Sequence, residues 1–257
     1  MAQVVLSNGI NIEYDTMGDP SNPTLLWIMG FTAQMTAWDE NFLKMYVDRG
    51  FHVVRFDNRD CGLSYKHDGV MVETDKVTMQ AAMGETVTVP VPYTLSDMAA
   101  DAIGVLDHLG IEKAHVIGAS MGGMIAQTVA IEHGHRVKSL TSIMSVPGDL
   151  AYGTPADEAL AALLAPPPSD RAAYIESAAN WAVWCSKKHF DLADAKQRAA
   201  REYDRSFYPE GSHRQLAAIY SSGDRSDALR NLATPTLVIH GRDDTLLTPS
   251  GGERTAE

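Results

Sequence analysis

Apolar residues fall into two kinds of run along this chain. Residues 24–29, 52–56, 114–117, 137–144 and 235–240 are short, nearly continuous apolar stretches. Continuous rather than alternating apolarity suits strands covered on both faces of a parallel sheet. Between them lie stretches with helical spacing. Residues 37–49 place Trp38, Phe42, Met45 and Tyr46 on one face, residues 96–109 start at Ser96 as N-cap and stop at Gly110, and residues 121–133 continue the pattern. Residues 4–6 and 10–14 are strand-like and are split by Asn8-Gly9, a hairpin signal. Strands alternating with helices predict an α/β fold, a mostly parallel sheet with helices on both faces and right-handed crossovers. Ligands of such sheets sit outside the carboxyl ends of the strands. Gly30, residues 57–61, Ser120, Asp243 and Asp244 should therefore share one rim.

Two stretches interrupt the alternation. Residues 66–91 read as an insertion, with a hairpin over the rim as its expected form. Residues 147–227 are Ala-rich and helix-prone, broken by Pro166-Pro167-Pro168, and carry Trp181, Trp184, Tyr174, Tyr203, Phe207 and Tyr208. They read as a helical cap inserted after the sixth strand. The expected organisation is a core over 1–146, a cap over 147–227 and a second core segment over 228–257.

Composition narrows the function classes. A chain of 257 residues suits one large α/β domain with a small insertion. Its formal charge of -12 repels phosphate backbones, which excludes nucleic acid as the expected partner. Cys61 and Cys185 make no disulfide framework and suit a reducing compartment. No C-x-x-C or H-E-x-x-H cluster calls for a metal. The N-terminus lacks the basic start and apolar run of a signal peptide, and no apolar run of about 18 residues exists to span a membrane. The expected location is cytoplasmic.

The sharpest chemical signal is Gly118-Ala119-Ser120-Met121-Gly122-Gly123, which follows an apolar strand and opens a helix. G-x-S-x-G in that context is a nucleophile elbow: the turn is tight, small residues two before and two after the serine avoid clashes, and the hydroxyl stands at the rim on the positive end of a helix. Gly118 and Gly122 are the elbow glycines.

Three further segments, Leu25-Leu26-Trp27-Ile28-Met29-Gly30-Phe31, Arg55-Phe56-Asp57-Asn58-Arg59-Asp60-Cys61-Gly62-Leu63-Ser64 and residues 235–244, join the elbow in a resemblance. In this order the chain resembles the α/β-hydrolase superfamily and, within it, the serine esterases related to aclacinomycin methylesterase. The resemblance implies an α/β-hydrolase fold with Ser120 as nucleophile. It implies an oxyanion hole from the backbone N–H groups of Phe31 and Met121, and Asp244 as the acid, with Asp243 as runner-up. Residues 57–64 read as structural, pinning a loop beside the rim. Serine at the elbow disfavours the haloalkane dehalogenases and epoxide hydrolases, which use aspartate there.

Triad order in such proteins is serine, acid, histidine. No histidine follows His240, so the catalytic histidine is absent from this chain. The expectation is a C-terminally truncated chain lacking the last strand and helix. His67, His189 and His213 are the histidines that could approach from the insertion and cap. Met29, Phe31, Met35 and Met121, with Trp181 or Trp184 above, form the expected pocket wall, adaptable and apolar, while Met124 beside them reads as ordinary core packing. Cleavage of small hydrophobic carboxylic esters through an acyl-enzyme, without cofactor or metal, is the first functional expectation. Activity of the chain as it stands would be weak or absent. The alternatives are a cofactor-free perhydrolase, a carbon–carbon bond hydrolase, or a non-catalytic ligand-binding member of the fold.

Overall fold

The computed structural model describes residues 1–185 and 187–257. Seven strands form one sheet in the order β1-β2-β4-β3-β5-β6-β7. They are β1 (Ala2–Val5), β2 (Asn11–Met17), β3 (Thr24–Ile28), β4 (His52–Phe56), β5 (Ala114–Ala119), β6 (Val137–Ile143) and β7 (Thr236–Ile239). The β1–β2 hairpin turns at Asn8-Gly9, where Gly9 has φ 83°. β2 pairs antiparallel with β4, and every later pairing is parallel. The helices are α1 (Glu40–Val47), α2 (Thr74–Ala82), α3 (Leu95–His108), α4 (Met121–Glu132), α5 (Asp157–Leu164), α6 (Arg171–Ser177), α7 (Leu192–Arg205), α8 (Gly211–Ser221), α9 (Ser226–Arg230) and α10 (Pro249–Ala256).

The two-residue period of the strands divides the core. Leu26, Ile28, Val54, Phe56 and Val116 pack with α3 and α4 on one face. Leu25, Trp27, Val53 and Ile117 pack with Leu43 of α1 on the other. There Trp27 makes edge contacts with Trp38, Phe42 and Tyr46 at centroid separations of 4.8, 5.7 and 5.2 Å. Each such aromatic pair adds about 0.5–1.5 kcal/mol beyond its area burial. Met45, expected on that face, is instead half exposed on the outer side of α1, and Leu43 takes the inner position.

Two local expectations are corrected. Helix α3 is capped two residues earlier than Ser96: Thr94 is the N-cap, and its backbone N–H donates to Asp97 Oδ2 at 2.8 Å in a capping box. Ser96 instead donates its hydroxyl to Glu132 Oε1. Residues 66–91 hold a helix, α2, rather than a hairpin. Thr74 and Val77, three apart, are its buried side, and the Thr74 hydroxyl donates to the His213 carbonyl of α8. Tertiary packing on α8 overrides the β-leaning Val and Thr content of that stretch.

Between β6 and β7 the chain forms α5 to α9 and a 3-10 helix, Ala178–Val183. Ala178, Ala195 and Ala199 make a small core there with Tyr174, Trp181 and Phe190. The Thr245 hydroxyl donates to the Val183 carbonyl at 2.8 Å and so ties this segment to the loop after β7. Among the described residues, no helix is long and apolar enough to cross a membrane.

Candidate active site

The site begins with the turn between β5 and α4. Ser120 has φ 56° and ψ -124°, a region that L-residues rarely occupy. Its N–H donates to the Ile143 carbonyl at 2.9 Å, and its carbonyl accepts from Gly123 N, Met124 N and the Ser145 hydroxyl. The backbone is thus fixed on both sides, and these bonds hold the strained residue in place. Close approach also explains the two glycines. A Cβ on Gly118 would overlap the Gly122 carbonyl, and one on Gly122 would overlap the Ile28 carbonyl. The Ser120 hydroxyl makes no hydrogen bond among the described residues and faces a cleft of about 2010 Å³.

Two residues with candidate amide donors line the same cleft as that hydroxyl. Met121 is the first residue of α4, where N–H groups have no intrahelical acceptor. Phe31 follows Gly30 in the loop after β3, and β3 pairs directly with β5 at Ile28 and Gly118. Neither the Met121 nor the Phe31 amide donates to a protein acceptor among the described residues. The Phe31 loop is held from outside: Gln215 Oε1 accepts from Thr32 N at 2.8 Å, while Gln215 Nε2 donates to the Arg59 carbonyl at 2.9 Å. Asn58 Nδ2 donates to the Met29 carbonyl at 2.8 Å. Gln215 was not singled out from the sequence. A lone glutamine in a helical segment carries no local signal of its role.

Residues 57–64 are a buried polar brace, in line with their structural reading. Asp57 accepts from Met35 N at 2.7 Å and Leu63 N at 2.9 Å and pairs with Arg205 at 2.7 Å. Asp60 accepts from His67 N, Tyr93 Oη and both Nε and Nη2 of Arg214. Burial alone would raise the Asp60 carboxyl, but the contacts from His67, Arg214 and Tyr93 outweigh it and hold the group well below the ordinary carboxylate range. Arg59 makes a two-point contact with Asp101 at 2.7 Å for each bond.

Asp244 follows β7 and lines the same cleft as Ser120. Its Oδ1 accepts from Leu246 N at 2.9 Å and Leu247 N at 3.0 Å, and its Oδ2 lies 3.7 Å from His240 Nε2. Burial pushes the Asp244 carboxyl up, against the two amide bonds that lower it. Asp243, the alternative, is exposed. His240 is turned away under α10, its Nε2 against the Leu247 carbonyl.

Met29, Phe31, Met121, Met124, Trp181 and Trp184 all line the cleft. Met35 does not: it is fully buried, held inside by the bond from its amide to Asp57. Of the three histidines named as able to approach, His213 lines the cleft, His67 lies against Asp60, and His189 lines a separate cavity of about 240 Å³. None hydrogen-bonds to Ser120 among the described residues. His52 and His115 sit at the opposite end of the sheet, bonded to Thr24 and Ser139. No group of three metal-ligating side chains occurs among the described residues.

Known proteins resemble this chain in sequence and fold. Rhodomycin D methylesterase DnrP of Streptomyces peucetius is 27% identical over 158 residues, 62% of this chain and 47% of that one. The chain thus spans about half the length of that relative. The putative carbamate hydrolase RutD of Variovorax paradoxus is 25% identical over 252 residues, 96% of this chain and 83% of that one. The crystal structure of a hydrolase from Pseudomonas aeruginosa superposes with a TM-score of 0.70 at 23% identity, covering 99% of this chain and 85% of that one. It shows the fold alone. The family model of the alpha/beta hydrolase fold matches residues 23–257, and the chain belongs to that family.

Proposed function

We propose that this protein is a serine hydrolase acting on carboxylic esters, with Ser120 as nucleophile. The observation that carries the reading is the Ser120 backbone, held at positive φ by fixed hydrogen bonds so that its hydroxyl stands free in the cleft. In the reaction Ser120 Oγ attacks the ester carbonyl and its proton passes to a base. The carbonyl oxygen becomes an oxyanion, and the unbonded amides of Phe31 and Met121 are the donors suited to it. Collapse expels the alcohol and leaves an acyl-serine, which water cleaves. Asp244 is the acid placed to orient an imidazole, with Oδ1 anchored by two amides and Oδ2 left to accept. The likeness to a methylesterase favours an ester over the carbon–carbon bond and perhydrolase readings, which share the same carbonyl addition. The cleft, walled by methionine and tryptophan, suits a hydrophobic substrate, and the segment between β6 and β7 acts as its cap.

Among the described residues no histidine is bonded to Ser120, and a hydroxyl without a base beside it is a weak nucleophile. The test is labelling of Ser120 by a fluorophosphonate, with and without added imidazole as an external base, read by peptide mass. Labelling that imidazole accelerates, and that Ser120→Ala abolishes, is expected. No label at Ser120 under either condition, in protein shown to be folded, would sink the proposal.

A further inference from the structure

Three buried carboxylates around the rim are heavily bonded. Asp57, Asp60 and Asp101 each take two or more hydrogen bonds or ion pairs. Glu202 of α7 is partly buried and lines the Ser120 cleft, yet its carboxylate has neither a hydrogen bond nor an ion pair among the described residues. Only its backbone carbonyl is engaged, accepting from Ser206 N and from Gln34 Nε2. An unbonded carboxylate in an apolar wall is costly, and burial pushes the Glu202 carboxyl up to about 7.

Its surroundings suit a cation. Tyr174 and Phe207 line the same cleft and pack on each other at 5.5 Å between centroids. Aromatic faces attract ammonium groups and compensate for the water such groups lose on entering. Arg198 and Arg201 draw the Glu202 carboxyl down, but burial outweighs them. Arg205 pairs with Asp57, and Arg198 lies over the Trp181 ring at 5.3 Å with its Nε 3.7 Å from Asp194. Arg201 is exposed, and burial keeps the Cys61 thiol and the Tyr174 phenol neutral. The chain's charge of -12 adds a general attraction for cations.

We infer that Glu202 makes this cleft selective for substrates carrying a protonated amine beside an apolar body, the carboxylate accepting from the ammonium and Tyr174 and Phe207 flanking it. The inference deepens the hydrolase reading and rests on it for the word substrate. The amine site itself is tested by binding alone. Calorimetric titration uses phenylbutylamine and its neutral counterpart phenylbutanol at about pH 8, where Glu202 is mostly ionised and the amine is charged. The intact protein should bind the amine at least roughly tenfold more tightly than the alcohol. Glu202→Gln should lose that preference and keep its affinity for the alcohol. It should melt no lower than the parent, because the carboxylate bonds to nothing. Equal binding of amine and alcohol by the parent, including no binding of either, overturns the inference; so does amine affinity unchanged in Glu202→Gln. An intact amine preference with no label at Ser120 would sink the hydrolase reading alone. Labelling without amine preference would sink this inference alone.

Discussion

Replacing Ser120 by glycine should stabilise the protein, although it removes the proposed nucleophile. At φ 56° and ψ -124° a residue with a Cβ is strained, which typically costs about 1–3 kcal/mol. Glycine relieves the strain but makes the unfolded chain more flexible, which takes back about 0.4–1 kcal/mol. The net gain is roughly 0.5–2 kcal/mol. Ser120→Ala is the control, since it keeps the Cβ and removes a hydroxyl that bonds to nothing in the protein. Its stability should match the parent's. For a chain of this size 1 kcal/mol moves the melting temperature by about 2–4 °C, so Ser120→Gly should melt roughly 1–8 °C above Ser120→Ala. Differential scanning calorimetry of the three proteins, with urea unfolding as a check on two-state behaviour, measures it. A glycine variant melting at or below the alanine variant would show that the turn stores no strain. The argument that fixed hydrogen bonds hold the serine in an unfavourable conformation would then fail.

Three other perturbations test the brace, the loop and the sheet edge. Asp60→Asn leaves Arg214 buried without its charge partner and should cost about 3–5 kcal/mol at neutral pH. Because the folded Asp60 carboxyl titrates below its unfolded value, its contribution is full above about pH 5 and is lost as pH falls, so urea midpoints of parent and variant should converge in acid. Gln215→Met strands the Thr32 N–H and the Arg59 carbonyl, at a cost of about 2–5 kcal/mol by chemical denaturation. It should also slow Ser120 labelling, because the loop carrying the Phe31 amide loses its tie. β7 is an edge strand with Leu237 and Ile239 half exposed, and Leu237→Lys should lower light scattering of concentrated protein while changing the unfolding free energy by less than about 0.5 kcal/mol.

The strand runs could be read from the sequence because a buried parallel strand must be apolar on both faces. β3 and β4 are buried at every position and bounded by turn residues. Helix α2 could not be read this way. Its periodicity amounts to Thr74 and Val77, and the surface that makes it a helix belongs to α8, more than a hundred residues away. Met35 and Met45 show the same limit. Their residue type allowed a pocket wall or a helix face, but a hydrogen bond from its own amide to Asp57 draws the first inward and Leu43 displaces the second.

The candidate site divides along the same line. Ser120, Gly118 and Gly122 could be found because the constraint is local: a strand, a turn with no room for a Cβ and a helix, all within six residues. Asp244 depended on its place after β7, and its two amide bonds come from its own loop. Gln215 and Glu202 left no such trace. Each lies on an amphipathic helix where a polar residue is the ordinary expectation, and each acquires its role only when the segment between β6 and β7 folds over the rim. Local geometry thus marks where the chemistry is proposed to happen, while the groups that would hold or select a substrate come from long-range packing. Residues that confer selectivity here are to be sought on α7 and α8, on the sides of those helices that face the cleft.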